Sequence, residues 1–431
     1  MSQVPCFLDA DLRGKVVLVR VDHNVVKKGR IKDPMRIEAT IPTLLHIFKK
    51  GGLPVLMTHV GRPRDKKTGA ITIDDGDAVN PIVEYLQKKY HLKGYLPQCL
   101  AAEAEGITDL SPVKSAVDCL RDGSVDFVYL PNTRWFKGEE SKDTAADILA
   151  RELASLADIY VNDAFGSWQA HASTYNITRY LPSYAGLLME KEISNLEKIF
   201  KPERPLVSVV AGAKFDTKIG PLSSLIKISD KLILGGVIYN AYLAVKYDLG
   251  IKGLDSSDLE LAKEFISSIE EYKDRIVELP CIIESDSFES AESWRIHKVK
   301  DLKPGTELNY VLDIAPESFE DEAVKTAFQR AETIFVNAVM GYTKLYTAGT
   351  MAMYKLIDSQ ERTQKLFGGG DTIQDFGQLL PGIYSQAVND PRYYFFSGGG
   401  AILNAIEQGS AYQMKTLRAL IENHKGNSKE Q

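Results

Sequence analysis

Residues 15–59 read KVVLVRVDHNVVKKGRIKDPMRIEATIPTLLHIFKKGGLPVLMTH, and the fold is decided in this stretch. Lys15–Val21 is an apolar run interrupted by Arg20, and Pro54–His59 is a second run of the same kind. Between them Ile37, Ile41, Leu44, Leu45 and Phe48 recur at helical spacing, and Gly51-Gly52 stop that stripe after Lys49-Lys50. Strand, helix, strand in that order is a parallel crossover unit. Runs that are apolar throughout, rather than alternating, belong to strands covered by helices on both faces.

The same alternation of short runs and helical stretches continues outward. Further strands are expected at Phe127–Leu130, Ile159–Asn162, Leu206–Val210, Leu232–Leu234, Tyr310–Asp313, Ile334–Asn337, Lys365–Phe367 and Tyr393–Phe396. A helix is predicted over 185–200, carrying Leu187, Leu188, Ile193, Leu196 and Phe200, and the proline-bracketed link 201–205 after it reads as a domain boundary. The chain has 431 residues, about two to three times a ~150-residue domain. The expected class is therefore α/β: two Rossmann-like domains, each a mainly parallel sheet covered by helices, with an interdomain cleft.

Composition narrows the partners. With 44% hydrophobic and 26% charged residues the chain can bury real cores, and disorder and collagen-like repetition are excluded. A net charge of -6 gives no overall basic field for nucleic acid or anionic lipid, so any anion site must be local. Cys6, Cys99, Cys119 and Cys281 are far apart and form no C-x-x-C pair, which fits a reduced, cytoplasmic setting. The first fifteen residues lack the pattern of a signal peptide, and the most apolar window, 232–245, falls short of the ~20 residues of a membrane span.

In open parallel sheets, ligands bind beyond the carboxyl ends of the strands. In the first half these ends carry Arg20, Asp22, His23 and Asn24; His59, Gly61 and Arg62; Asn132 and Arg134; and Asn162 to Gly166, with Arg36 at the start of the first crossover helix. Guanidinium forks converging with histidine and asparagine suit a small anion, although a single arginine more often pairs with a surface carboxylate. In the second half the ends carry Gly212, Lys214 and Lys218; Gly235-Gly236; Asp313-Ile314-Ala315-Pro316; Asn337; Gly368-Gly369-Gly370-Asp371-Thr372; and Ser397-Gly398-Gly399-Gly400-Ala401. Glycines at strand-to-helix turns expose N–H groups that hold phosphates, so a nucleotide is the natural guest, though neither of the two commonest nucleotide fingerprints is present. A helix starting at the Gly212 turn would place Lys214 and Lys218, four apart, on one face. Asp371 suits either a helix cap or a Mg²⁺ ion bridging nucleotide phosphates.

Taken together, eight motifs in order identify the chain as resembling phosphoglycerate kinase: Arg20 to Asn24, His59 to Pro63, Asn132 to Arg134, Asn162 to Gly166, Gly212 to Lys214 with Lys218, Pro316 to Ser318, Gly368 to Thr372, and Ser397 to Ala401. The resemblance implies a hinge-bending cytoplasmic monomer with domain 1–200, joined by the returning segment 410–431, binding 3-phosphoglycerate. Domain 201–409 would bind ADP or ATP with Mg²⁺. It further implies that Asp22, Asn24, His59, Arg62, Arg134 and Gly166 bind the acid substrate, and that Arg36, Lys218 and Lys214 act on the moving phosphoryl group. Gly212, Lys214, Lys218, Gly235, Asn337, Gly370, Asp371 and Thr372 would bind the nucleotide, with Asp371 on the metal. No nucleic acid or membrane partner is implied.

The departures are specific. The family's usual arginine shortly after the Asn162–Gly166 motif, which helps grip the distal phosphate, is missing from Ser167-Trp168-Gln169-Ala170-His171. After Asn337 the usual Gly-Pro and the later ribose-binding glutamate are missing, and 338–350 holds no acidic residue. His23 stands for a usual phenylalanine, Val26 for a proline and Ala315 for a glycine. Besides an authentic phosphoglycerate kinase, two readings therefore stay open: a related kinase for another carboxylate or an unusual phosphoryl donor, and a catalytically silent paralogue.

Overall fold

The structure, a computed structural model, describes residues 4–216 and 218–427. It divides into two compact units: the described residues of Met1–Ser194 with Tyr412–Gln431, and Asn195–Ala411.

The first unit is built on a six-stranded sheet in the order Ser183–Ala185, Ile159–Asp163, Val16–Val21, Leu53–Met57, Phe127–Tyr129, Gly94–Tyr95, with every pairing parallel. Val16–Val21 is buried along its whole length, and each of its apolar side chains contributes roughly 1.5–3 kcal/mol. The Met35–Lys49 helix covers it with Ile37, Leu44 and Ile47. Ile37 and Leu44 belong to the stripe read from the sequence, whereas Ile47 was not part of that stripe and its Leu45 is exposed. From Val16–Val21 the chain builds the sheet to one side, then returns with Ile159–Asp163 on the other. The carboxyl ends of these two strands form the switch point where such sheets bind ligands.

The second unit holds a five-stranded, wholly parallel sheet in the order Lys231–Gly235, Leu206–Gly212, Thr333–Asn337, Gln364–Phe367, Tyr393–Phe395. Its switch point lies between Leu206–Gly212 and Thr333–Asn337. The run Tyr310–Ile314, expected alongside the parallel strands, instead lies in a separate antiparallel sheet with Cys281–Ser285 and Trp294–Lys298.

The predicted helix spans Leu187–Phe200, and the division between units falls inside it. The 201–205 link lies in the second unit, where Arg204 pairs with Asp230 at 2.8 Å. The chain rejoins the first unit at Tyr412, and its Lys415–Asn427 helix is held there by Asn423, whose amide donates to the carbonyls of Thr178 and Leu181 at 2.7 and 3.1 Å. Among the described residues, no helix is long and apolar enough to cross a membrane.

Candidate functional site

In the first unit the strand ends gather Asp22, Asn24, His59, Arg62 and Arg134, with Arg36 on the first turn of its helix. Asp22, 1% exposed, faces Arg36 at 3.4 Å and accepts from the Ser167 hydroxyl at 3.4 Å. Beneath them lies Arg20, fully buried, which donates to Ser173 Oγ at 3.0 Å and to His59 Nδ1 at 2.8 Å. Ser173 is fixed in turn by Glu139, which accepts from its N–H at 3.0 Å and its hydroxyl at 2.6 Å.

This network sets the state of His59. Burial first, then the charges of Arg20 and Arg134, push its pKa well down, so the ring is neutral. A guanidinium only donates, so Nδ1 is the acceptor and the hydrogen sits on Nε2. Nε2 lies 3.2 Å from Asn24 Nδ2, while Asn24 Oδ1 is committed to the Gly61 N–H at 3.1 Å. Two donors therefore lie side by side, an arrangement that a carboxylate or phosphate oxygen satisfies. Arg134 donates to the Gly61 carbonyl, pairs with Glu140 at 3.0 Å, and with Arg62 lines a cavity of about 720 Å³. Gly166 sits in the turn after Ile159–Asp163, where Ser167 N–H donates to the Ala164 carbonyl at 3.0 Å. His23 turns inward, 2.9 Å from the Tyr129 hydroxyl, and burial followed by Arg20 lowers its pKa to about 3, so it adds no charge to the rim.

In the second unit, four helices begin at the carboxyl ends of the parallel strands, at Ile219, Gly236, Gly370 and Gly399. Their glycines permit close approach of backbones. Gly236 has φ of +62°, and a Cβ there would stand 2.9 Å from the Gly212 carbonyl oxygen. A Cβ on Gly399 would stand 2.6 Å from the Gly369 Cα. Asn337 ties the switch point together: its amide donates to the Gly368 carbonyl at 2.8 Å, and its oxygen accepts from Lys218 Nζ. Burial lowers the Lys218 pKa to about 8, against the opposing pull of Asp371. Asp371 is exposed on the first turn of Gly370–Leu379, while Thr372 is buried beside Gly369. One exposed carboxylate next to a phosphate-type cradle fits Mg²⁺ held largely by nucleotide oxygens. No group of three or more His, Cys, Asp or Glu side chains arranged for a metal occurs among the described residues.

One expectation fails. Lys214 and Lys218 do not share a helix face, because the helix starts only at Ile219 and Lys218 is its N-cap. Phe215 causes the delay: it is fully buried, packs 5.9 Å from Phe265, and its N–H reaches Asp258. Lys214 is left exposed in the loop. Gly235 is closely covered, since a Cβ there would meet Met340 at 2.8 Å, and Met340 is itself buried. Ser173 and Glu139 were not singled out from the sequence, and Arg20, read there at a strand end, and Ser167 were given no role in the site. Arg20 carried a signal, a lone charge in an otherwise apolar strand, but its partners lie 147 and 153 positions away.

Comparison with known proteins gives the family and the fold. The family model for phosphoglycerate kinase matches residues 7–409. The chain is 36% identical over 417 residues to the phosphoglycerate kinase of Synechococcus sp. (strain JA-3-3Ab), covering 92% of this chain and 93% of that one. It is 35% identical over 408 residues to that of Agrobacterium fabrum, covering 92% and 94%. In fold it is similar to the solved phosphoglycerate kinases of Coxiella burnetii, with TM-score 0.75, 24% identity and coverage of 97% and 99%, and of Pyrococcus horikoshii OT3, with TM-score 0.76, 21% identity and the same coverage. With strand-end anion donors in one unit and a glycine cradle with a half-buried lysine in the other, the chain belongs to the phosphoglycerate kinase family, phosphotransferases with a carboxyl group as acceptor.

Proposed function

We propose that the protein catalyses reversible transfer of a phosphoryl group between 1,3-bisphosphoglycerate and ADP, giving 3-phosphoglycerate and ATP, a step of glycolysis and gluconeogenesis. The observation that carries this reading is Lys218, half-buried at the switch point of the second unit and hydrogen-bonded to Asn337, among four helix N-termini. A cation held there, amid backbone N–H groups, suits the charge of a transferring phosphoryl group.

On this reading Asn24 and the Nε2–H of His59 donate to the acid, Arg62 and Arg134 supply charge, and Asp22 orients Arg36. Gly166 lets the turn approach the substrate. Arg36, Lys218 and Lys214 neutralise the transferring group, and Gly212, Gly235, Asn337, Gly370, Asp371 and Thr372 hold the nucleotide. Mg²⁺ held by Asp371 and the nucleotide phosphates would neutralise their charge. A carboxylate acceptor is already deprotonated at neutral pH, so no general base is required and positioning carries the rate.

The test is a coupled assay with 3-phosphoglycerate and Mg-ATP; steady turnover supports the reading, and none at saturating substrate overturns it. A second reading, a different phosphoryl donor, is favoured by Met340 lying over Gly235 and by the lack of acidic residues in 338–350. Crossing several nucleoside triphosphates and pyrophosphate with the same acid separates the two: a marked ATP preference supports the first, indifference to base and ribose the second.

A further inference from the structure

The cavity beside the acid site in the first unit is lined by Arg62, Arg64, Lys66, Arg134 and Lys142. Its volume of about 720 Å³ lies within the range of small-molecule sites. Three carboxylates share its wall, and each has other work. Asp65 accepts from the N–H groups of Lys67 and Thr68 at 2.8 and 2.7 Å. Asp143 caps the Thr144–Ala154 helix through the Ala145 N–H at 2.8 Å, and Glu140 pairs with Arg134 at 3.0 Å.

Among the described residues, Arg62, Arg64, Lys66 and Lys142 have no carboxylate at ion-pair distance. Five cations against three carboxylates leave an excess of two positive charges, that of one phosphate dianion. Arg62 and Arg134 are shared with the acid site, so the cavity opens directly from it. Gln169, from the arginine-free stretch 167–171, lines the same wall with a neutral amide.

We propose that Arg64 and Lys142, with Lys66 beside them, bind the distal phosphate of the acid substrate, the end remote from the reacting carboxylate. The proposal rests on the kinase reading above and deepens it. The charge that 167–171 does not provide comes here from two other loops, one following Arg62 and one preceding the Thr144–Ala154 helix. Arg64 offers a planar fork that matches phosphate oxygens, and Lys142 a point charge.

The test uses Arg64→Gln, Lys142→Gln and the double variant of the full chain, with circular dichroism melting to confirm folding. Calorimetric titration without nucleotide measures the affinity for 3-phosphoglycerate, D-glycerate and inorganic phosphate. The double variant is expected to bind 3-phosphoglycerate at least tenfold more weakly, with each single variant in between. The ratio of phosphorylated to unphosphorylated acid affinity should fall by the same factor, and in turnover KM should move more than kcat. Equal losses for both acids, or affinity within twofold of the parent, would overturn it. Inorganic phosphate that binds without competing with 3-phosphoglycerate would also overturn it, marking a separate anion site. Parent turnover judges the kinase reading independently: turnover with unaffected variants sinks this proposal alone. Selective binding without turnover sinks the kinase reading and leaves the cavity assignment standing.

Discussion

Burial of Lys218 makes its charge conditional at a pH where an ordinary lysine is fully protonated. With a pKa lowered to about 8, the free protein loses this cation as pH rises through that value. We expect kcat/KM, which reports the free enzyme, to fall through an alkaline limb near pH 8. Lys218→Arg should move that limb upward whatever its effect on the maximal rate, because guanidinium stays charged; an unmoved limb would assign the titration elsewhere. Asp163 presents the opposite case in the first unit. Its Oδ1 accepts from the N–H groups of Leu188 and Met189 at 2.9 and 3.2 Å, at the head of the Leu187–Phe200 helix, yet burial raises its pKa to about 7. Between about pH 4 and 7 the folded chain holds a proton that the unfolded chain has released, so stability falls as pH rises across that window. Asp163→Asn keeps the acceptor oxygen and removes the titration. Urea midpoints at pH 5 and 8 should then differ less than in the parent, by the equivalent of about 2.5–3 kcal/mol; an equal difference in both proteins would refute this account.

At the scale of elements, the second unit depends on how closely two helix starts approach. A methyl group on Gly399 would lie 2.6 Å from the Gly369 Cα, backbone against carbon, and nothing there can rotate away. Gly399→Ala must push the Gly370–Leu379 and Gly399–Glu407 helices apart, costing about 1–3 kcal/mol, or a few degrees of melting temperature. If the proposed nucleotide site binds Mg-ADP, the thermal stabilisation it confers should weaken with it. Gly370→Ala is the control: its Cβ meets nothing within 4 Å, and its melting temperature without ligand should match the parent. A Gly399→Ala protein that melts and responds to nucleotide as the parent does would refute the crowding argument. Both triple-glycine turns were legible in the sequence, as were the parallel strands other than the short edge strands Gly94–Tyr95 and Ser183–Ala185, because buried strands leave continuous apolar runs. The antiparallel sheet was not, since Trp294–Lys298 is mostly exposed and mixes polar with apolar residues. The pairing of Lys214 with Lys218 was misread because spacing says nothing of Phe215, whose burial postpones the helix. Arg20 was read at a strand end but given no role, because that role exists only once distant serines fold around it.

For the whole molecule, the chain order conceals which unit owns its last helix. Lys415–Asn427 follows the nucleotide-type unit in sequence but belongs to the first unit, where Leu417 and Leu420 are fully buried. Its Asn423 also accepts from the Ser183 N–H at 3.0 Å, capping the edge strand Ser183–Ala185 from outside. Two leucines at roughly 1.5–3 kcal/mol each, with hydrogen bonds at about 0.5–1.5 kcal/mol each, form a large share of the 5–15 kcal/mol that holds a domain folded. Truncation before Lys415 should therefore destabilise the first unit selectively. The three tryptophans make this measurable: Trp135 and Trp168 lie in the first unit and Trp294 in the second. In a Trp294→Phe background the fluorescence reports the first unit alone. Its urea midpoint should drop sharply on truncation, whereas far-ultraviolet circular dichroism should resolve a second, later transition from the unit that keeps its own sheet. Mg-ADP should still raise that later midpoint, because Lys218, Asn337 and the glycine turns all lie outside the truncated unit. A single transition at the parent midpoint would show that the returning helix is dispensable to the first unit. A single transition at a lowered midpoint would show that the two units unfold together.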